Sequence, residues 1–392
     1  MNADSRHATA IALGGLIALA AGMGIGRFVY TPVLPFMEAA LGLTKPQAGF
    51  IASVNFLGYL LGALAAAWSA LPGGRRGWFL GALAVSAVTT GAMGLTSSMA
   101  VFLGLRFVGG AASAFVLVFA SALVLDRLAA SGRQRLSAVH FAGVGTGIAV
   151  SAVIVSGLAA GDAQWQAQWL VSGAAALLAL AAVVWLVPRE TGAERPAAET
   201  PSAGFDRRLT ALIVAYGLFG FGYVITATFI STMVRTVPDL QSIEPVVWLV
   251  FGLAAIPSIA LWTWIGRRWG NDRSFALACI VEGIGVVLSV LTANALVVLL
   301  GVALLGGTFM GITALGFIYA RDLTAGDPRR SLALMTAAFG LGQMVGPTFA
   351  GVTYGIGDSF LLPSLVAAAA LLVAAGLVMT LRSRGGASNP SD

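Results

Sequence analysis

Charge is what this chain has least of. Only 10% of its residues are charged, against 58% that are hydrophobic. A soluble protein carries roughly 25% charged residues to cover its surface, so a water-covered globular exterior is excluded. Cysteine occurs once, at Cys279, which excludes an intramolecular disulfide and any cysteine metal cluster. The two histidines, His7 and His140, are too few for a histidine metal site, and packing is the expected role of His140. Neither a metal nor a cofactor is expected. Lysine is nearly absent beside plentiful arginine, so arginine rather than lysine at one position says little. No ATP-binding motif occurs, which excludes direct ATP drive unless another subunit supplies it. Gly24-Ile25-Gly26 lies in an apolar run with no strand before it, so it is no nucleotide loop.

What fills the chain instead is twelve long apolar stretches: Ala8–Met37, Pro46–Ala70, Arg76–Thr96, Met99–Leu125, Leu136–Ala160, Trp165–Val187, Leu209–Arg235, Pro245–Ile265, Ser274–Thr292, Ala295–Arg321, Ser331–Gly355 and Phe360–Arg382. A hydrocarbon core of about 30 Å needs about 20 apolar residues per helix, and the stretches meet that length. The expected fold class is an all-α membrane protein of twelve transmembrane helices. The first stretch is too long for a cleaved signal peptide and lacks a cleavage site, so it stays as a helix.

Basic residues collect in alternate loops. Arg75 and Arg76; Arg127, Arg133 and Arg135; Arg189, Arg195, Arg207 and Arg208; Arg267, Arg268 and Arg273; Arg329 and Arg330; and Arg382 and Arg384 all fall on one side, while the other carries little beyond Lys45 and Arg235. Short arginine-bearing loops stay cytoplasmic, so both termini are expected inside a bacterial inner membrane. The net charge of +6 is then a topology signal, and nucleic acid is not an expected partner. Pro188–Arg208 is the longest polar interruption and reads as a flexible linker. It separates a first six-helix bundle, residues 1–187, from a second, residues 209–382, with a tail over 383–392. The halves echo each other at an offset near 196 residues. Gly24-Ile25-Gly26-Arg27-Phe28 lies opposite Gly220-Phe221-Gly222-Tyr223-Val224, and Gly143-Val144-Gly145 opposite Gly340-Leu341-Gly342. Parallel repeats about an axis along the membrane normal fit a transporter whose site lies between them near the midplane.

This arrangement resembles the major facilitator superfamily over essentially the whole chain. Arg106-Phe107-Val108-Gly109-Gly110 looks like that family's arginine-containing motif in the fourth helix. Gly24 to Pro32, Gly222 to Phe229 and Gly340 to Pro347 look like the YbfB/YjiJ-type branch. The resemblance implies the major facilitator fold and transport, with no implied substrate. Two departures stand out. The loop Leu71-Pro72-Gly73-Gly74-Arg75-Arg76 keeps the arginines of the family's gating motif without its aspartate, and its counterpart Gly266–Arg273, with Arg267, Arg268 and Asp272, is irregular. The fifth helix has no Gly-Pro pair, and Gly346-Pro347 sits in the eleventh instead.

Ionisable residues at membrane depth carry the functional signal, because each costs about 2.5–3.5 kcal/mol or more at a helix centre. Arg27 and Arg106 both fall there, with no acidic residue deep in their own half. An arginine so placed suits a carboxylate or phosphate, which it binds bidentately; the alternative is donation to helix-end carbonyls. Tyr30 follows Arg27 by one turn and is expected on the same face. Asn55 with Tyr59, Tyr216 with Tyr223 and Thr226, and the lone amide Gln343 complete the candidate substrate-binding set, each also able to serve as an interhelical hydrogen bond. Glu282 is the one carboxylate well inside a helix and the candidate proton carrier, although a structural hydrogen bond is the stronger expectation. Asp126 and Asp322 adjoin Arg127 and Arg321 and suit cytoplasmic gating. Glycines four apart, such as Gly22 with Gly26, Gly143 with Gly147 and Gly342 with Gly346, allow close helix packing.

The expected activity is secondary transport of a small organic solute by ion-coupled alternating access, with an anionic solute favoured by the buried arginines. Its partners would be that solute, membrane lipid and protons, and the chain is expected to act as a monomer. A membrane enzyme would need a nucleophile, base and orienting group at one depth, and no such set exists. The remaining alternative is a sensor or assembly protein on a transporter scaffold.

Overall fold

The computed structural model describes residues 3–68, 71–187, 206–324 and 328–383. Most of the expected linker and the tail after Ser383 lie outside the described residues, as do Arg189, Arg195 and Arg384. Fourteen α-helices are described. The first half of the chain forms α1 (Ala3–Leu19), α2 (Tyr30–Leu41), α3 (Lys45–Ala66), α4 (Arg75–Ala92), α5 (Met99–Ala130), α6 (Ser137–Ala160) and α7 (Trp165–Leu186). The second forms α8 (Arg207–Thr236), α9 (Glu244–Ala255), α10 (Ser258–Trp269), α11 (Asn271–Leu288), α12 (Ala295–Leu323), α13 (Arg329–Gly357) and α14 (Leu361–Ser383). No strand occurs among the described residues.

Among the described residues ten helical stretches are long and apolar enough to cross a bilayer, and α9 with α10, bent by 42°, makes an eleventh. The bend falls at Ile256-Pro257 because proline offers no N–H to the helix. At the place of the ninth expected stretch stands α11, only 18 residues long and carrying Asp272, Arg273 and Glu282. Those charges set it apart from its neighbours. The outer faces are apolar, with Leu178 74% and Trp185 88% exposed.

Within the first half α3 packs on α5, α4 on α5 and α7, and α1 on α6; within the second, α8 packs on α13 and α14, and α11 on α12 and α14. The halves meet where α3 lies against α13, α6 against α9 and α2 against α8. The internal repeat is visible as paired contacts. Gly110 presses on the Asn55 carbonyl and Gly306 on that of Phe251; positions 110 and 306, like 55 and 251, differ by 196. At both glycines a Cβ would strike backbone, so only glycine permits the crossing. Thr31 Oγ1 donates to the carbonyl of Ala227, its own repeat mate, at 2.7 Å.

Polar contacts between halves run from mid-chain depth to the end bearing Lys45. Ser53 meets Thr348 at 2.8 Å, Thr232 donates to Glu38 at 3.1 Å, and Ser156 to the Pro245 carbonyl at 2.8 Å. At the opposite end, Arg75 with Asp126 and Asn271 with Asp322 each join residues of one half.

Candidate functional site at the break between α1 and α2

The first expected helix is interrupted at the motif that carries Arg27. Residues Ala20–Ile25 form a wide π-turn, in which Gly26 N–H reaches back to Ala21 at 2.8 Å and Phe28 to Met23 at 3.3 Å. Gly24 packs on the backbone of Gly147, leaving no room for a Cβ. Single wide turns of this kind recur at functional sites. The α-helix resumes at Tyr30, and Pro32 in its first turn cannot donate,. The break frees carbonyls and re-aims side chains.

Arg27 is buried, at 3% exposure. Its Nη2 donates to Gln343 Oε1 at 2.7 Å, and Gln343 Nε2 in turn donates to the Tyr223 hydroxyl. The guanidinium lies 3.9 Å from the Tyr59 ring centroid and 4.7 Å from that of Phe56. Arg27 Nε has no hydrogen-bond partner. Tyr223 belongs to an aromatic stack, 4.8 Å from Phe309 and 5.8 Å from Phe339, with Tyr216 next at 5.1 Å from Phe339. The guanidinium thus packs on the first-half rings Phe56 and Tyr59 and is linked through Gln343 to the second-half stack of Tyr223, Phe309 and Phe339.

Tyr30 does not join it. Because the backbone turns between Arg27 and Tyr30, the tyrosine hydroxyl donates to the Ala48 carbonyl at 2.9 Å and its ring lies 4.9 Å from the Arg106 guanidinium. The expected shared face holds only for a regular helix. Arg106 Nη2 donates to the freed Arg27 carbonyl at 3.2 Å, and Asn55 Nδ2 caps the Arg106 carbonyl at 2.8 Å. Arg106 and Asn55 therefore brace the break from beneath, while Tyr59 and Gln343 meet Arg27 directly and Tyr223 is reached through Gln343. Thr226 is buried with an unpartnered hydroxyl, and Tyr216 reaches the Thr313 carbonyl at 3.4 Å. Among the described residues no carboxylate lies within ion-pair distance of either arginine. The charge of Arg27 is held by ring faces and a neutral amide, a stabilisation of about 2 kcal/mol per desolvated cation–π contact.

Residues 19–379 match the family described as the uncharacterised MFS-type transporter YbfB. The chain belongs to this family. Among solved structures, it is similar to a point mutant of the nucleoside transporter NupG, at 15% identity and a TM-score of 0.74, covering 95% of this chain and 99% of that one. It is also similar to a bacterial homologue of the human lysosomal transporter Spinster in an inward-facing, occupied conformation, at 16% identity, a TM-score of 0.73 and 97% of both chains. A search of curated protein sequences finds no match. This protein is an integral membrane transporter of the major facilitator type.

In that light the loops at the Arg75 end read as a repeated pair. Arg75 reaches Asp126 at 3.2 Å, and Asn271 reaches Asp322 at 2.7 Å, each pair 51 residues apart and 196 from its mate. The Leu71–Arg76 loop, which has no aspartate of its own, is thus met by one near the end of α5. Arg76 instead donates to the Val184 and Val187 carbonyls at 2.9 and 3.2 Å. Arg268 lies over Trp264 at 4.1 Å, with Arg267 exposed beside it and Asp272 beyond Gly270. A cavity of about 620 Å³, with Pro72, Trp78 and Phe115 in its lining, opens beside the Leu71–Arg76 loop between α4 and α5.

Glu282 is fully buried on α11, which packs on α12 and α14, and neither carboxyl oxygen has a hydrogen-bond partner. His140, also buried, meets Ser121 at 3.1 Å. Glu282→Gln is expected to leave transport intact and not lower the melting midpoint, since an unsatisfied buried polar group costs about 1–3 kcal/mol. Uptake in proteoliposomes beside a detergent melt checks this; lost uptake would return Glu282 to the transport machinery.

Sequence reasoning passed over Phe56, Phe309 and Phe339, and also Glu38, Thr232 and Glu244 at the Lys45 end. Phe56 precedes Tyr59 by one turn and was legible as its face-mate. The others come from separate helices, and no spacing marks them.

Proposed function

We propose that this protein is a secondary transporter for small organic anions with one carboxylate and a flat apolar remainder. It works as a monomer by alternating access between two six-helix bundles, twelve spans in all. Arginine asymmetry supports cytoplasmic termini and a cytoplasmic linker, which makes the Lys45 end the outer one. The joined outer end then corresponds to a form closed outward.

The observation that carries the substrate class is Arg27, buried at the meeting of the halves with no carboxylate beside it. A substrate carboxylate would take Nη2 from Gln343 and also engage the free Nε, the side-on fork that arginine favours. Its flat part would stack against Tyr223 and Phe339. Releasing Gln343 removes one of the hydrogen bonds that tie the two halves, so binding itself loosens the closed contact. A neutral nucleoside, the cargo named for one structural relative, would leave the guanidinium uncompensated.

Counterflow in proteoliposomes tests the class. Aromatic monocarboxylates are expected to exchange, while their primary amides and uridine exchange at least about tenfold more slowly, the loss of one charged hydrogen bond. Equal exchange of acid and amide would overturn the anion reading. Tight binding without any exchange would favour a sensor on the same scaffold.

A further inference from the structure

A second charged cluster lies away from Arg27, at the Lys45 end, and it spans the halves. Lys45, the chain's single lysine, pairs with Glu38 at 2.7 Å, and the two side chains are only 16% and 10% exposed. Both belong to the first half. The same Glu38 oxygen accepts from Thr232 of α8 at 3.1 Å, while its other oxygen is buried without a partner. Arg235 on α8 lies 4.2 Å over Phe36 of α2 and pairs with Glu244 of α9 at 3.3 Å. Lys45 faces the Tyr354 ring of α13 at 5.7 Å, and Asp358 ends that helix. These are the charged and titratable groups around Glu38 from α2, α3, α8, α9 and α13. One carboxylate therefore compensates Lys45 and holds the opposite half at once.

We infer that Glu38 is the proton-binding site of the outer closure, and that its protonation from the outer solution opens that end. The inference rests on the orientation proposed above. With Glu38 ionised, Lys45 is neutralised where it is nearly buried, and Thr232 has a charged acceptor, the stronger kind. With a proton on the carboxyl, Lys45 keeps its charge without compensation, which penalises the closed form. Opening returns Lys45 to water and separates Thr232 and Phe36 from their partners. The proton comes from outer water and returns there when Lys45 re-forms its pair. Arg235 and Glu244 neutralise each other within the second half, so they move as one unit. Transport then rises with outer acidity without any role for Glu282.

Cysteine labelling reads this without knowledge of the substrate. Ser231 is buried one turn after Ala227 on the α8 face that meets α2, and Cys279 is the single native cysteine. Ser231→Cys is placed in a Cys279→Ser background and exposed in cells to a membrane-impermeant maleimide. Its rate is divided by that of Asp239→Cys, which cancels the reagent's own pH dependence. Between about pH 7.5 and about pH 4, a range that reaches the ordinary glutamate value of about 4.3, the normalised rate is expected to rise about tenfold, a change of about 1.4 kcal/mol in the open–closed balance. Glu38→Gln should give the fast rate at both values. Thr232→Val should raise the rate at neutral pH while keeping a response to acid, and it decides the matter if Glu38→Gln fails to reach the membrane. A flat pH profile in the parent, a retained response in Glu38→Gln, or parental labelling in Thr232→Val overturns the inference. If Asp239→Cys is unreachable from outside while Thr200→Cys is labelled, the orientation is reversed and the outer proton site falls with it. A failed counterflow experiment leaves this result untouched.

Discussion

Arg27→Ala will weaken binding of an aromatic monocarboxylate by about tenfold to a hundredfold, because a hydrogen bond to a charged group is worth about 1.5–3 kcal/mol. The reasoning starts from cost. A guanidinium in an apolar bundle persists only where something uses or compensates it, and here the compensation is ring faces and one amide oxygen. Its unpartnered Nε points to an acceptor that arrives with the ligand. Arg27→Lys should fall between parent and alanine, since an ammonium cannot present a planar fork. The protein should stay folded in detergent, because Arg106 and Asn55 continue to brace the break. Isothermal titration beside a melting curve separates the two effects. Unchanged affinity in Arg27→Ala, or a best ligand that is a cation, would end the anion hypothesis.

Gln343→Glu will abolish binding of the same ligand and raise the melting midpoint. Gln343 Oε1 already sits 2.7 Å from Arg27 Nη2, so a glutamate there places a built-in carboxylate where the substrate's would go. An ion pair formed on an existing buried cation is favourable, because the cost of burying the arginine is already met and the new charge is paired at once. The Tyr223 hydroxyl can then donate to the glutamate, so no polar group is stranded. The gain should be about 1–3 kcal/mol, the scale of a charged hydrogen bond, while affinity falls below detection. Gln343→Leu serves as the contrast. It strands both Arg27 and Tyr223, lowers stability, and leaves the guanidinium open to an anion. If Gln343→Glu binds the ligand as the parent does, Arg27 is not the anchor.

Composition and periodicity decided what kind of molecule this is. An apolar run of about 20 residues has a single solution in a bilayer, a helix that satisfies its own backbone, so the helical class can be read without coordinates. Of the twelve expected spans, ten helices and one bent pair qualify among the described residues. The repeat was legible for the same reason that it exists: equivalent crossings need equivalent small residues, as at Gly110 and Gly306. Arg27, Tyr59, Tyr223 and Gln343 were each visible as polar residues out of place in an apolar run.

Their meeting was not visible. Arg27 reaches Gln343 across 316 residues of chain, and helical spacing orders residues only within one helix. The π-turn at Ala20–Ile25 rotated Tyr30 away from Arg27, because a wide turn breaks the 3.6-residue period on which the shared face depended. Phe309 and Phe339 lie in apolar stretches where phenylalanine carries no signal, and only the approach of α12 and α13 to α8 stacks them with Tyr223. Glu38 carries no signal of its own just past the first apolar stretch, and only α8 laying Thr232 against it marks it. Local periodicity settled the helices and their small-residue seams; the tertiary packing settled which charges face each other, because charge pairing depends on distance in space and helices distant in sequence supply the partners.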